Sequence, residues 1–356
     1  MLFQSYLATS FHVFLLSFNY LAVSVTFLNT LSIRKSKLLS RLPQISITFW
    51  QNLFPDQKTG NVSMKMNPRC TYCLLSRVHF QSKLSTDDED LISKTIQECL
   101  EVMSKHYDPE AISASVATKV HRRCYEVLED NDPYEVTKKL INQAALKVLP
   151  VAKEKIYENS PDDRELFRRA VLASVVANYF DFGIMGFDAS EDKFEAAFLE
   201  YFEHGLDVDD TPKMLGLLQD VVYIADNCGE ILFDVFVFDV IKKLGGKITL
   251  VVRGGPILTD VTLEEIEEFE IDKKVDSILT TGSNAVGVLT EEAPAELLKA
   301  MKDATLIISK GMANYETLSE HNFGPIAYML LTKCECVAED LGLEQGLAVA
   351  KLMNYP

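Results

Sequence analysis

Between residues 220 and 331 the chain repeats one pattern, a short apolar run followed by polar residues and then a helix-length segment. The runs are DVVYIA (220–225), KITLVV (247–252), VDSILTT (275–281), ATLIIS (304–309) and IAYMLL (326–331). The segments between them, such as EILFDVFVFDVIKKLG (230–245) and EEAPAELLKAMKD (291–303), are patterned as helices. Strands apolar throughout, alternating with helices, predict a parallel sheet covered on both faces. Lys242, Lys243 and Gly245 end the first of these segments as a helix ends. An α/β domain is therefore expected over 216–356.

Upstream, from 64 to 215, the periodicity is helical and an all-helical domain is expected. DEDLISKTIQECLEVMSKHY sets Leu91, Ile92, Ile96, Leu100, Val102 and Met103 close to a 3.6-residue stripe. DPYEVTKKLINQAALKVLPVAKEKIYE and DRELFRRAVLASVVANYF behave alike, with Asp132-Pro133 and Ser160-Pro161 as helix starts.

Residues 1–63 have a different texture. They carry Arg34, Lys35, Lys37, Arg41 and Lys58 against the single acid Asp56, so subtracting +4 from the net charge of −17 leaves −21 for the remainder. Two readings apply. The run over 11–33 is long enough to cross a bilayer at ~1.5 Å per residue, which would make it an anchor. Alternatively, translation starts at Met64 or Met66 and the stretch is a mis-assigned leader. The compositional break favours the second, and a cytoplasmic protein is the expectation; a membrane partner enters only if 1–63 is expressed. So acidic a chain is ill suited to nucleic acid, where phosphate contacts need clustered Lys and Arg. Cysteines at 70, 73, 99, 124, 228, 334 and 336, odd in number and scattered, indicate a reducing compartment rather than a disulfide framework.

In open α/β sheets ligands bind beyond the carboxyl ends of the strands, so the residues after each run matter most. They are Asp226, Asn227 and Gly229; Arg253-Gly254-Gly255-Pro256 and Asp260; Thr280, Thr281, Gly282, Ser283 and Asn284; Ser309, Lys310, Gly311, Asn314 and Glu316; and Thr332, Lys333 and Cys334. Asp226, Asn227 and Asp260 offer hard oxygen donors suited to Mg²⁺, Mn²⁺ or a similar ion. Arg253, Lys310 and Lys333 are cations for phosphate oxygens, and the TTGSN loop with Ser283 adds hydroxyls and backbone N–H groups. Metal, cations and donor loop together describe a site that stabilises charge on a phosphoryl group in transfer.

Each feature alone has a plainer reading. Asp226-Asn227 is also what a turn and helix cap look like. Cys70 and Cys73, in CTYC, fit zinc no better than they fit a pair of core residues on a helix, since no second CxxC or paired His follows at finger spacing. Cys334 and Cys336 alternate as strand residues would, and receive no metal role.

Taken together, ADNCGE, RGGPILTD and SKGMANYE resemble the signature set of the DUF89 family, the metal-dependent damage-control phosphatases. NPRCTYCLL (67–75) is similar to the start of the stand-alone prokaryotic members, and ANYFDFG (177–183) to their Asn-x-x-Asp motif. The resemblance covers 64–356. It implies a helical N-terminal region against a Rossmann-like three-layer α/β/α domain. It also implies a divalent ion, Mn²⁺, Ni²⁺, Co²⁺ or Mg²⁺, held by Asp226, Asn227 and Asp260. Asn178 and Asp181 would line the cleft from the helical side, with Asn314, Glu316 and Lys333 completing the substrate shell. Implied substrates are small phosphomonoesters, including sugar phosphates and damaged or surplus phosphometabolites. Where eukaryotic members carry Arg-Thr-x-Lys, this chain reads LLTKCE.

The expected function is thus a metal-dependent phosphatase in which Lys310, Lys333 and Arg253 neutralise phosphate charge and Glu316 orients Asn314 or water. Asp226 is either a metal ligand or the nucleophile. Two rival readings are an adenosylmethionine-dependent methyltransferase on the same kind of sheet and a non-catalytic binder of metal and phosphometabolite. Asp-Asn after the first strand and Arg after the second weigh against the methyltransferase.

Overall fold

The computed structural model describes residues 64–179 and 191–355. The apolar run at 11–33 and the expected site residue Asp181 lie outside the described residues. No described helix is long and apolar enough to cross a membrane.

Helices come first: α1 (Pro68–Ser85), α2 (Glu89–His106), α3 (Ser113–Leu128), α4 (Glu135–Tyr157), α5 (Asp163–Ala177) and α6 (Glu191–His204). Then follow β1 (Val208–Asp209), α7 (Thr211–Met214), β2 (Asp220–Ile224), α8 (Glu230–Lys243), β3 (Lys247–Val252), α9 (Leu263–Glu268) and β4 (Ser277–Thr280). The chain continues with α10 (Ala295–Asp303), β5 (Leu306–Lys310), α11 (Gly311–Leu318), β6 (Ile326–Leu331), α12 (Glu335–Leu341) and β7 (Ala348–Met353). Asp162 starts α5, its carboxylate accepting from Glu165 N at 2.9 Å, one residue beyond the predicted Ser160-Pro161 start.

The strands form a seven-stranded sheet in the order β1-β7-β6-β5-β2-β3-β4. Every pairing is parallel except β6 with β7. From β2 the chain winds outward through β3 and β4, then returns to the other side of β2 with β5 and β6. The winding reverses between β2 and β5, and in such sheets the crevice opens at that switch point.

Strand alternation assigns the two faces. Val221, Tyr223, Leu250, Leu306 and Ile308 pack on one face with α4, α5 and α8, while Val222, Ile224, Val251 and Ile307 pack on the other against residues of α10, α11 and α12. Tyr223 meets Phe238 of α8 edge-on, 4.8 Å between ring centres, an aromatic geometry that adds ~1 kcal/mol beyond burial. Ala170, Ala173 and Ala177 are fully buried and let α5 lie close along α8. That packing carries the end of α5, with Asn178, to the carboxyl edge of the sheet.

Helices α1–α3 gather a third apolar cluster from Val78, Cys99, Val120 and Cys124, and it takes in Ile257 from the loop after β3. The Tyr125 hydroxyl accepts from Leu258 N at 3.0 Å. This cluster therefore props the loop that carries Asp260.

Within that cluster His121 is buried, its Nδ1 3.0 Å from Gln81 Oε1. Burial pushes its pKa down to about 3. Because the folded value lies below the ordinary one, the unfolded chain takes up this proton first, and stability falls as pH drops from about 6.5 towards 3. Between pH 7 and 5 the contribution is about 2 kcal/mol. Urea titrations at the two pH values should show that loss in the wild type and not in His121→Gln; equal losses in both would remove His121 as the cause.

Candidate active site

The strand-end residues converge because two loops are zipped together. Asn227, after β2, forms an isolated antiparallel bridge with Asp260, after β3. Cys228 N donates to Thr259 O at 2.8 Å and Val261 N to Asp226 O at 2.9 Å. Leu258 takes a left-handed backbone (φ 49°), which turns the second loop back onto the first. Thr259 Oγ1 donates to Asn227 Oδ1 at 3.0 Å, fixing which way that amide faces.

Asp226 is the centre of the arrangement. Its Oδ2 accepts from Asn227 Nδ2 at 2.6 Å and from Asn178 Nδ2 at 3.3 Å. Its Oδ1 lies 3.6 Å from Arg253 Nη2. Gly311, at φ 72°, opens α11 directly against it: a Cβ there would fall 1.8 Å from Asp226 Oδ2. Only glycine leaves room for this carboxylate over the start of that helix.

Arg253 is almost completely enclosed. Nε donates to Asp260 Oδ2 at 2.5 Å and Nη1 to Asn314 Oδ1 at 2.9 Å, while Asn314 Nδ2 is anchored on Ala225 O and Lys310 O. Nη2 makes no hydrogen bond among the described residues. Buried N–H groups are normally satisfied, so this one suits an anion seated beside Asp226.

Behind Asp226 is a layer that sequence reasoning missed. Glu230 accepts from Asn178 Nδ2 and pairs with Lys310 Nζ. Lys310 Nζ also donates to Ser174 Oγ and to Asp234 Oδ1, each at 2.6 Å. Ser174 Oγ donates to Asp234 Oδ1 at 2.6 Å. A signal was present: Glu230 and Asp234 are the i and i+4 acids in the first nine residues of α8, which are otherwise apolar, and hence share a face.

The electrostatics follow from crowding. Burial, then the Asp260 and Glu230 carboxylates, push Asp226 well above the usual carboxylate range, with Arg253 and Lys333 acting the other way. Glu230 is raised by burial, and Lys310 opposes that. Burial works against the Lys310 ammonium, but Asp234 and Glu230 outweigh it and hold its pKa above the ordinary value.

The expected site residues are therefore not all in one place. Asp226, Asn227, Asp260, Arg253, Asn314 and Asn178 are brought together. Lys333, half-buried after β6, lies within electrostatic reach of Asp226. Lys310 directs its ammonium inward to Ser174, Glu230 and Asp234, because it shares the strand face of Leu306 and Ile308. Ser283 lies on the loop packed against Gly254, whose N–H donates to Ser283 O at 3.0 Å. Glu316 is directed elsewhere: it accepts from Ser113 Oγ of α3, and burial pushes its pKa up to about 7.

Cys334 and Cys336 are not strand residues. β6 stops at Leu331, and Cys334 caps α12 with Cys336 inside it. Arg69 of α1 pairs with Glu335 at 2.6 Å and with Glu339, which brings CTYC beside this helix start, with Cys73 exposed rather than in the core.

Among the described residues no three His, Cys, Asp or Glu side chains are gathered as a metal cage. The donor set at the switch point is two carboxylates and an amide oxygen. That set fits a hard divalent ion that takes its remaining oxygens from water and substrate. The carboxylate crowding that raises Asp226 is the observation in its favour, since a cation there would relieve it.

The family model for the damage-control phosphatase ARMT1-like domain matches residues 66–349. A protein of Archaeoglobus fulgidus named damage-control phosphatase is 44% identical over 292 residues, covering 82% of this chain and 100% of its own length. A second damage-control phosphatase, from Pyrococcus horikoshii, is 27% identical over 290 residues, covering 80% of this chain and 97% of its own length. The crystal structure of a DUF89 family protein from Pyrococcus horikoshii superposes with a TM-score of 0.74 at 27% identity, covering 81% of this chain and 99% of that one.

Proposed function

The chain belongs to the damage-control phosphatase ARMT1-like domain (DUF89) family, and on that footing we propose that it is a metal-dependent phosphatase of small phosphomonoesters, among them sugar phosphates and damaged or surplus phosphometabolites. The observation that carries the reading is the buried Asp226 carboxylate, set against Asn227, Asp260 and the unsatisfied Arg253 Nη2 at the switch point.

Asp226, Asn227 and Asp260 would hold the divalent ion. When bound, Mn²⁺, Ni²⁺, Co²⁺ or Mg²⁺ supplies Lewis-acid polarisation of phosphoryl oxygens and acidifies water. Hydrolysis joins a water oxygen to phosphorus, breaks the ester P–O bond and releases the alcohol with a proton. Arg253 Nη2 and Lys333 offset the negative charge of the phosphoryl oxygens. Asn314 holds the Arg253 plane, and Asn178 steadies Asp226 from the end of α5. Lys310 acts indirectly, fixing Glu230, which in turn orients Asn178. Asp226 is read as a ligand rather than a nucleophile, because a divalent ion beside it would relieve the carboxylate crowding that raises its pKa. No glycine-rich loop follows β2, so the methyltransferase reading gains nothing.

The test is phosphate release from p-nitrophenyl phosphate and a panel of sugar phosphates, using metal-stripped protein resupplied with each ion. Release should depend on added metal, and mass spectrometry of acid-quenched turnover should find no phosphoaspartate at 226. Folded protein that releases nothing with any of the ions would sink the phosphatase reading; a trapped phosphoaspartate would reassign Asp226.

A further inference from the structure

Two buried polar residues one turn apart on α4 face the two loops that carry the proposed ligands. Asn142 Oδ1 accepts from Gly229 N at 2.7 Å, two residues after Asn227. Lys138 Nζ lies 3.2 Å from Glu265 Oε1 and 2.7 Å from Asp132 Oδ2. Glu265 Oε2 accepts from Thr262 N at 2.8 Å and from Thr262 Oγ1 at 2.7 Å, two residues after Asp260. Both α4 side chains are 3% exposed.

We propose that Lys138 and Asn142 form a clamp that sets the separation of the Asp226-Asn227 loop from the Asp260 loop, and are thereby positioning residues for the divalent ion. The inference rests on the metal-dependent reading above. Three features of the geometry support it. The first loop sits hard on α4, since a Cβ on Gly229 would fall 2.6 Å from Ile141 Cγ2. The second is held by a closed chain of bonds, Lys138 to Glu265 to Thr262, that begins on the same helix face. The bridge between Asn227 and Asp260 joins the loops near the ligands themselves, so α4 and the bridge fix each loop at two points. A helix turn rises ~5.4 Å, and a rigid bar of that length under both loops leaves the donor oxygens little freedom to drift. Groups that orient metal ligands from outside govern affinity strongly, typically 10–100-fold.

Neither residue touches the reacting atoms, so activity alone cannot separate positioning from folding. The measurement is Mn²⁺ affinity by calorimetry on metal-stripped full-length protein, alongside thermal unfolding without metal. Asn142→Ala removes the acceptor for Gly229 N; Asn142→Asp keeps it. Lys138→Met combined with Glu265→Gln removes the ion pair to the second loop without leaving Glu265 as a lone buried charge, and the other partner of Lys138, Asp132, is only half-buried. Asn142→Ala and the Lys138/Glu265 double variant should each weaken Mn²⁺ binding at least about 10-fold. Asn142→Asp should stay within about threefold of wild type, with metal-free unfolding of Asn142→Ala and Asn142→Asp alike. Mn²⁺ affinity unchanged in Asn142→Ala overturns the clamp even if the double variant fails to fold. Wild-type protein that binds no Mn²⁺ is a separate failure, that of the metal reading itself.

Discussion

Asp226→Asn is expected to lower kcat/KM by about 10³-fold or more, a loss of ~4 kcal/mol of transition-state stabilisation, while leaving the metal-free protein as stable as wild type or more so. The two effects have opposite signs for one reason. Burial and the neighbouring Asp260 and Glu230 carboxylates hold the Asp226 pKa well above its ordinary value. Its charged form therefore costs folding free energy at neutral pH, and the amide removes that cost while keeping an acceptor for Asn178 and Asn227. For an acid raised in the folded state, wild-type stability recovers as pH falls and the carboxyl takes up its proton. The stability advantage of the variant should accordingly be largest near pH 7 and shrink on acidification. Steady-state kinetics with saturating Mn²⁺ and urea titrations in chelator read the two halves. A variant retaining a tenth of wild-type activity would place the chemistry elsewhere.

Lys310→Met should produce the largest loss of stability, roughly 3–5 kcal/mol, because it leaves two buried carboxylates without their cation. The ammonium of Lys310 bonds Ser174 and Asp234 at 2.6 Å and pairs with Glu230, all of them enclosed. Adding Asp234→Asn to Lys310→Met should recover about half of the loss, since only one of the two buried carboxylates, Glu230, then remains unmatched. Activity should fall in Lys310→Met as Glu230 loses its hold on Asn178. Denaturant midpoints of the two variants and wild type decide the matter. A loss below about 1 kcal/mol would mean that water reaches this layer and screens it.

Much of this site was legible in the residues, and the exceptions have physical reasons. The five strands β2–β6 follow from apolar runs separated by helices, and their common edge follows from parallel winding. β1 is two residues long and β7, AVAKLM, carries Ala and Lys in place of β-branched residues, so neither has a periodic signal. Lys310 was readable as a strand-end cation, but its inward direction needed parity: it shares a face with Leu306 and Ile308. Glu316 fell outside the site because it lies two residues past Asn314 on a helix, about 200° around the axis. The bridge between Asn227 and Asp260 joins residues 33 apart in sequence and depends on how two loops fold back. Local patterning carries no trace of it.

β7 has a consequence for synthesis. It pairs with β1 on one side and β6 on the other, burying Val349 and Ala350 between them. On the ribosome, β2 to β6 emerge before β7 and can pair among themselves, but β1, made more than 130 residues before β7, has no neighbour until β7 arrives. Until then β6 presents an unpaired apolar edge, the kind of surface along which nascent chains associate. The last of these seven strands to leave the tunnel is therefore the one that joins β1 to the rest of the sheet, and a polypeptide released before residue 348 would carry an assembled centre with an adhesive flank.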